Sequence, residues 1–467
     1  MEAVARPTWV ASDRVLARYV ARPVLRFIHL EVASGVLLLV ATAAALIWAN
    51  SAWSDSYGEF WHAHVAIGVG SWHLEMSLAH FVNDGLMALF FFVVGLEIKR
   101  ELVTGELADR RAAALPAIAA VGGMVVPALF FVAFAWGSSG VRGWGIPMAT
   151  DIAFAVGVVA LLGSRVSPRL KLFLLTLAIV DDIGAIAVIA IFYSEGLSLT
   201  WLGVAVALLL SLRFLRRVRV WTTPVYAVVG AVVWYATYKS GVHATIAGVA
   251  MGLMTPALPL LSREEADDIA DDLVEPSAEQ VRDAAFRIRE CVSVGSRLET
   301  LLHPFTSFVI IPIFALANAG IVLSGSTIAD SITSPVTLGV VAGLVIGKPV
   351  GITLFTYVAT RFGFDLPDGI NWRQFVGMGM AAGIGFTVSI FVTGLAYADP
   401  ALADSAKIGI LGASFLAAVG ALLILRTNDR TPVPAPSEQA ELPLLPGDGP
   451  PSAPIDVVDQ ASDHVVG

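Results

Sequence analysis

Residues 169–193 read Arg-Leu-Lys-Leu-Phe-Leu-Leu-Thr-Leu-Ala-Ile-Val-Asp-Asp-Ile-Gly-Ala-Ile-Ala-Val-Ile-Ala-Ile-Phe-Tyr. At ~1.5 Å of rise per residue, a helix over this run exceeds the ~30 Å hydrocarbon core of a bilayer. At its centre sit two acids, Asp181 and Asp182. Each charge at the middle of a membrane helix costs on the order of 2.5–3.5 kcal/mol on insertion scales. Ionisable groups kept there face a water-filled cavity and bind or relay ions.

Eleven further apolar runs flank this one, near 29–49, 79–98, 112–136, 144–162, 198–215, 220–238, 242–258, 304–323, 335–360, 374–397 and 406–425. The chain is 57% hydrophobic and 14% charged, against about 45–50% and about 25% for a soluble domain. That balance excludes an ordinary soluble enzyme. The expectation is an all-α polytopic membrane protein of about twelve transmembrane helices in a lipid bilayer. A single cysteine, Cys291, excludes a disulfide framework. No basic array points to nucleic acid. Met1 to Arg26 is polar, so no cleavable leader is expected.

The 29 basic residues orient the runs. Twenty-five fall in the N-terminal segment, the alternate loops and the tail. Three (Arg142, Lys239 and Lys407) fall in the intervening loops, and Lys348 lies inside a run. By the positive-inside rule both termini and the rich loops are cytoplasmic. Residues 1–28 then form a cytoplasmic N-terminal segment, and 29–426 the membrane domain. Within that domain, polar 262–295 reads as a cytoplasmic helix. Residues 427–467, rich in Pro, Ser and Asp, read as a disordered cytoplasmic tail. Residues 62–75 alternate apolar and polar around Gly-Ser, which fits either a short hairpin on the outer face or an irregular loop.

Met148-Ala-Thr-Asp-Ile-Ala-Phe-Ala-Val156 matches Met380-Ala-Ala-Gly-Ile-Gly-Phe-Thr-Val388 at five of nine positions. Asp181-Asp-Ile-Gly-Ala-Ile186 aligns with Ala417-Ala-Val-Gly-Ala-Leu422. Both pairs lie seven runs apart, an odd number, so the repeats run in opposite directions through the membrane. Inverted repeats with interrupted helices are a mark of secondary transporters. Pro147 interrupts the first copy, before Thr150 and Asp151; Gly383 and Gly385 loosen the second.

Asp151, Asp181, Asp182 and Lys348 therefore carry the candidate chemistry. One Asp–Lys pair serving only to hold helices together accounts for part of this set and leaves an acidic surplus. Adjacent carboxylates suit a hard cation that takes oxygen ligands. A group that holds either a proton or a cation is a minimal exchange device. Glu97 and Glu101, with Lys99 and Arg100 between them, read on their own as a solvated helix end. Asp84 reads as a cap, and His243 as a satisfied histidine at a helix start.

Phe91-Phe-Val-Val-Gly-Leu-Glu-Ile-Lys-Arg-Glu101, Pro147-Met-Ala-Thr-Asp-Ile-Ala-Phe-Ala155, Leu177-Ala-Ile-Val-Asp-Asp-Ile-Gly-Ala-Ile186, Ser240-Gly-Val-His-Ala-Thr245, Ile346-Gly-Lys-Pro-Val-Gly-Ile352 and Gly383-Ile-Gly-Phe-Thr-Val-Ser-Ile-Phe391 occur in this order. Together they resemble the NhaA family of sodium/proton antiporters, over about residues 25–426. The resemblance implies twelve helices, with the fourth and eleventh crossing as broken helices. It implies that Asp181 and Asp182 bind the transported Na+ or Li+ and the protons, with no cofactor. Lys348 would pair with Asp181, and Asp151 would balance facing helix dipoles. Glu97, Arg100, Glu101, Glu299 and His303 would sense pH from the cytoplasmic side. The 62–75 hairpin would join a homodimer in the inner membrane. The long N-terminus, the acidic insert and the tail depart from compact relatives, and the insert adjoins Glu299 and His303.

The rival readings need different patterns. An intramembrane aspartyl protease uses Gly-x-Gly-Asp and Tyr-Asp on separate helices, whereas the Asp pair here is consecutive. A channel has no need of carboxylates inside broken inverted-repeat helices.

Overall fold

The computed structural model describes residues 33–69, 72–194, 196–217, 223–262, 264–265, 277–367 and 369–427. The expected N-terminal segment 1–28, most of the C-terminal tail and the acidic core of the 262–295 insert lie outside the described residues. What is described is helical except for one two-stranded sheet.

Six helices are long and apolar enough to cross a membrane singly: Leu78–Val103, Arg110–Ala135, Pro168–Phe192, Val294–Asn318, Pro335–Arg361 and Pro400–Arg426. Three bent pairs bring the number to nine among the described residues. They are Ala33–Ala49 with Ser54–His62 (113°), Ser139–Met148 with Ile152–Ala160 (48°), and Trp372–Ala382 with Phe386–Ala396 (46°). The other three expected runs carry the shorter helices Leu199–Arg217, Thr223–Lys239 and Thr245–Met254. The last is ten residues where the run covers 242–258, because Thr255 turns extended ahead of Pro256. Lys407, expected in a loop, stands inside a helix, since Asp399 caps and Pro400 starts that helix ahead of the apolar run.

Local signals explain where the long helices begin. Ser167 accepts from the Leu170 N–H and Pro168 occupies the first turn of the helix that carries Asp181 and Asp182. Asn371 and Gln374 form a reciprocal capping box at the start of the second broken pair. With no water to squeeze out between helices in lipid, close association relies on small residues that let backbones approach. A Cβ at Gly95 would come within 2.7 Å of the Val249 carbonyl oxygen, so helix Leu78–Val103 lies directly on Thr245–Met254. Gly122 and Gly351 bring Arg110–Ala135 against Lys348–Arg361 in the same way. Three stretches, Phe81–Leu86, Thr306–Ile310 and Ala342–Gly347, are π-helical; the second borders the central cavity and the third leads into Lys348.

The alternating stretch is a hairpin, displaced two residues along the chain from the expected 62–75. Its antiparallel strands are His64–Val69 and Trp72–Ser77, pairing His64 with Ser77 and Val69 with Trp72. His62 belongs to the preceding helix. Asp84 is not a cap: Ser77 caps that helix through the His80 N–H. Asp84 lies seven residues further in, where its carboxylate meets His80 Nε2 at 2.7 Å. Within the insert, helix Ala278–Glu290 is present, opened by a Ser277–Gln280 capping box.

Candidate functional site

The two breaks that divide the bent pairs meet. In the first, the 3₁₀ segment Ser139–Met148 gives way to extended backbone at Ala149 and Asp151 before helix Ile152–Ala160 begins. In the second, Gly383, Ile384 and Gly385 separate Trp372–Ala382 from Phe386–Ala396. The Asp151 N–H donates to the Ile384 carbonyl at 2.7 Å, and Thr150 Oγ1 lies 2.9 Å from the Ala382 carbonyl oxygen. Ser389 donates its hydroxyl to the Ile146 carbonyl at 2.7 Å. Backbone groups freed by each break are thus satisfied by the other, as apolar surroundings require.

Asp151 sits between two helix N-termini. Its Oδ1 accepts from the Phe154 N–H at 3.0 Å, and its Oδ2 accepts from the Thr387 N–H at 3.0 Å and Thr387 Oγ1 at 2.7 Å. Each helix start carries roughly half a positive charge. The carboxylate therefore offsets two facing dipoles.

Asp181 and Asp182 are adjacent on an unbroken helix, so their side chains diverge by ~100°. Asp181 is 0% exposed and faces the breaks. Its Oδ2 takes Lys348 Nζ at 2.5 Å and Thr150 Oγ1 at 2.7 Å, while its Oδ1 has no partner. Lys348, also 0% exposed, donates in addition to the Met148 carbonyl, the last of the 3₁₀ segment. One ammonium thus neutralises a carboxylate and a helix C-terminus. Asp182 is 8% exposed and has neither hydrogen-bond nor ion-pair partner among the described residues. It opens on a cavity of about 530 Å³ whose wall also includes Glu97, Thr150, Asp151, His303 and Thr387.

The other expected residues fall in two places. Arg100 pairs with Glu299 and lies 3.2 Å from Glu101 Oε1. Glu101 Oε2 accepts from the Glu106 N–H at 3.1 Å. Glu97 and His303 stand one turn deeper on the same two helices, at the cavity wall. The five residues are therefore brought to one end of the cavity, but only three share direct contacts. His243 lies away from the carboxylates; its Nε2 is 2.8 Å from the Tyr193 carbonyl oxygen, and its own carbonyl accepts from the Ile246 N–H as a helix starts. Gly383 and Gly385 are at the second break, where backbone crowds them: a Cβ on Gly385 would lie 3.0 Å from the Ala149 carbonyl oxygen.

Sequence reasoning did not single out Thr387 or the two tyrosines that hold the 3₁₀ segment. Tyr193 donates its hydroxyl to the Arg142 carbonyl at 2.8 Å and accepts from the Gly145 N–H at 3.1 Å. Tyr397 donates to the Gly140 carbonyl at 2.5 Å. The only signal available for Thr387 was its place in the repeated nonapeptide, where it stands opposite Ala155.

Among the described residues no three His, Cys, Asp or Glu side chains converge as a metal centre. The side-chain donors gathered at the breaks are carboxylate and hydroxyl oxygens, the types that hard cations take. Comparison with known proteins agrees with this chemistry. The family described as Na+/H+ antiporter 1 matches residues 25–425. A Na+/H+ antiporter NhaA of Rhodopirellula baltica is 47% identical over 416 residues, covering 86% of this chain and 93% of that protein. The Na+/H+ antiporter NhaA 3 of Frankia alni is 47% identical over 439 residues, covering 93% and 95%. The Na+/H+ antiporter NhaA 2 of Myxococcus xanthus is 45% identical over 425 residues, covering 88% and 90%. With the family matched over residues 25–425 of the 467, this chain belongs to the NhaA family of sodium/proton antiporters.

Proposed function

We propose that the chain is a secondary antiporter that carries sodium out of the cytoplasm in exchange for protons moving in, with lithium following the same route. The observation that carries this reading is a compensated carboxylate beside an uncompensated one where two helix breaks meet. Asp181 has Lys348, Asp182 has no partner, and Asp182 is the one bordering the cavity. A reachable carboxylate without a partner holds a proton or a sodium ion, one positive charge in either case. Occupancy by one excludes the other, and that exclusion couples the two flows. Helix groups that expose the site to each side in turn let the proton gradient do the work, so no cofactor is needed. No bond is made or broken. The protease alternative would need two aspartates sharing a water between helices, and Asp151 and Asp181 are already engaged with helix starts and with Lys348.

The finer architecture belongs to the same proposal. All twelve apolar runs cross the cytoplasmic membrane, and the halves repeat in inverted orientation. Bends of 48° and 46° in pairs seven runs apart support the repeat. The distribution of basic residues supports cytoplasmic termini, with 1–28 and 427–467 flanking a 29–426 antiporter domain. In that orientation Glu97 and His303 lie towards the cytoplasmic ends of their helices, and the cavity faces the cytoplasm. The Arg100–Glu101–Glu299 network then stands at its mouth, where a change of charge would adjust access; this supports pH regulation. The hairpin pairs only with itself among the described residues. Unpaired strand edges seek a partner, which supports dimerisation through a second copy's hairpin.

The test is proton movement in everted vesicles or proteoliposomes after pulses of Na+, Li+ and K+. The apparent KM for Na+ should fall as pH rises, before any plateau, because protons occupy the same carboxylates. An apparent KM that stays constant across the active range means separate sites and overturns the reading.

A further inference from the structure

Gly385 stands at the N-cap of helix Phe386–Ala396 and has no side chain with which to cap it. A cap ordinarily accepts from the N–H two or three residues on. Here that acceptor comes from the other broken helix: Asp151 Oδ2 takes the Thr387 N–H at 3.0 Å. The same carboxylate caps its own helix through the Phe154 N–H at 3.0 Å. Thr387 adds its hydroxyl at 2.7 Å, the one side-chain donor to Asp151 among the described residues.

The charges at the site then count simply. Asp181 is offset by Lys348. Asp151 is offset by two helix starts, each worth roughly half a charge. Of the three aspartates Asp182 alone is left over, and the cavity wall carries one further acid, Glu97, one turn from the Arg100 network. Asp151 and Thr387 both border that cavity. Released by Thr387, the carboxylate would have beside it the cavity that it shares with Asp182. A further carboxylate turned to the cavity beside Asp182 changes the preferred guest, because divalent-ion affinity rises with the number of charged oxygen ligands.

We propose that Thr387 is a positioning residue that sets cation valence: its hydroxyl holds the Asp151 carboxylate on the two helix starts and out of the cation path, so the site suits a monovalent ion and rejects a divalent one. This rests on reading the cavity as the cation path.

The test uses Mn2+ as the probe, on full-length protein, with thermal unfolding in detergent and sodium-driven proton movement in proteoliposomes. Thr387→Val keeps the side-chain shape without the hydroxyl. Mn2+ should stabilise this variant and inhibit its exchange at concentrations about tenfold lower than for the parent protein, as an added carboxylate ligand implies. Thr387→Ser should keep the parent's Mn2+ response. Asp151→Asn placed in the Thr387→Val background should restore the parent's response. A Thr387→Val protein with unchanged Mn2+ sensitivity overturns the proposal, as does Mn2+ sensitivity that Asp151→Asn fails to remove. If Thr387→Val does not fold, Thr387→Ala lacks the same hydroxyl and carries the test. Melting reads Mn2+ binding without transport, so a failure of sodium exchange in the parent would count against the antiport reading separately.

Discussion

The two broken helices bend almost equally, 48° and 46°, by different chemistry. The first brings side chains to its break: Pro147 precedes it, Thr150 reaches Asp181, and Asp151 caps two helices. The second brings almost none. Gly383 and Gly385 leave bare backbone, and what it contributes is the Ala382 and Ile384 carbonyls and the Thr387 N–H and hydroxyl. One broken helix thus carries the charge, while the other presents bare backbone that charge can approach. Similar bends with divided labour explain how two broken helices can surround a single site.

The comparison is tested most severely at the helix both breaks face. Asp182→Asn should reduce cation-driven proton movement to background while the protein still inserts and unfolds at its usual temperature, since an amide can neither ionise nor trade a proton. Near-normal exchange by folded variant protein would remove Asp182 from the site.

The next effect is on stability and concerns the charged break. Lys348→Ala strands the Asp181 carboxylate and the Met148 carbonyl in the interior. Losing one partner of a buried pair costs about 3–5 kcal/mol. Replacing both Asp181 and Lys348 by a neutral pair should be less damaging than the single changes together. A double-mutant cycle by thermal unfolding in detergent measures this, and strictly additive losses would mean that the two residues do not interact.

The smallest effect sharpens the contrast between side-chain and bare breaks. Gly385→Ala forces a methyl against the Ala149 carbonyl and against Ser389, whose hydroxyl holds Ile146. Overpacking of this kind costs about 1–3 kcal/mol. Pro147→Ala trims a buried ring that packs at Gly343 and should cost about 1 kcal/mol, the centre of the range for single changes. The 3₁₀ segment is still held there by Tyr193, Tyr397 and Ser389. Melting temperatures in the reverse order would show that proline, not glycine, makes the tighter break.

Much of this was legible in the sequence because it is local. Charges inside apolar runs, proline before Thr150 and Asp151, and paired glycines in a repeat all announce themselves within a few residues. The Lys348–Asp181 pair was named through the family motif, since nothing local links residues 167 positions apart. Thr387 was passed over for a physical reason: a hydroxyl in an apolar helix usually bonds its own preceding turn, as Thr393 does with Ser389. Asp84 was misread because its ring partner, His80, only comes alongside once the helix has begun at Leu78. The one-turn separation of Glu97 and His303 from the Arg100 network depends on how two helices lie together, which motif order does not encode.

The 3₁₀ segment has a consequence for thickness. A 3₁₀ helix advances ~2.0 Å per residue against ~1.5 Å for an α-helix. Its ten residues therefore reach ~20 Å, where an α-helix of that length reaches ~15 Å. With the nine residues of Ile152–Ala160, the first broken helix spans about as far as the two eleven-residue halves of the second. The stretched winding works as a ruler: it lets the shorter, charge-bearing strand of chain meet its longer twin at the same depth, so that Thr150 and Asp151 arrive level with Gly383 and Gly385.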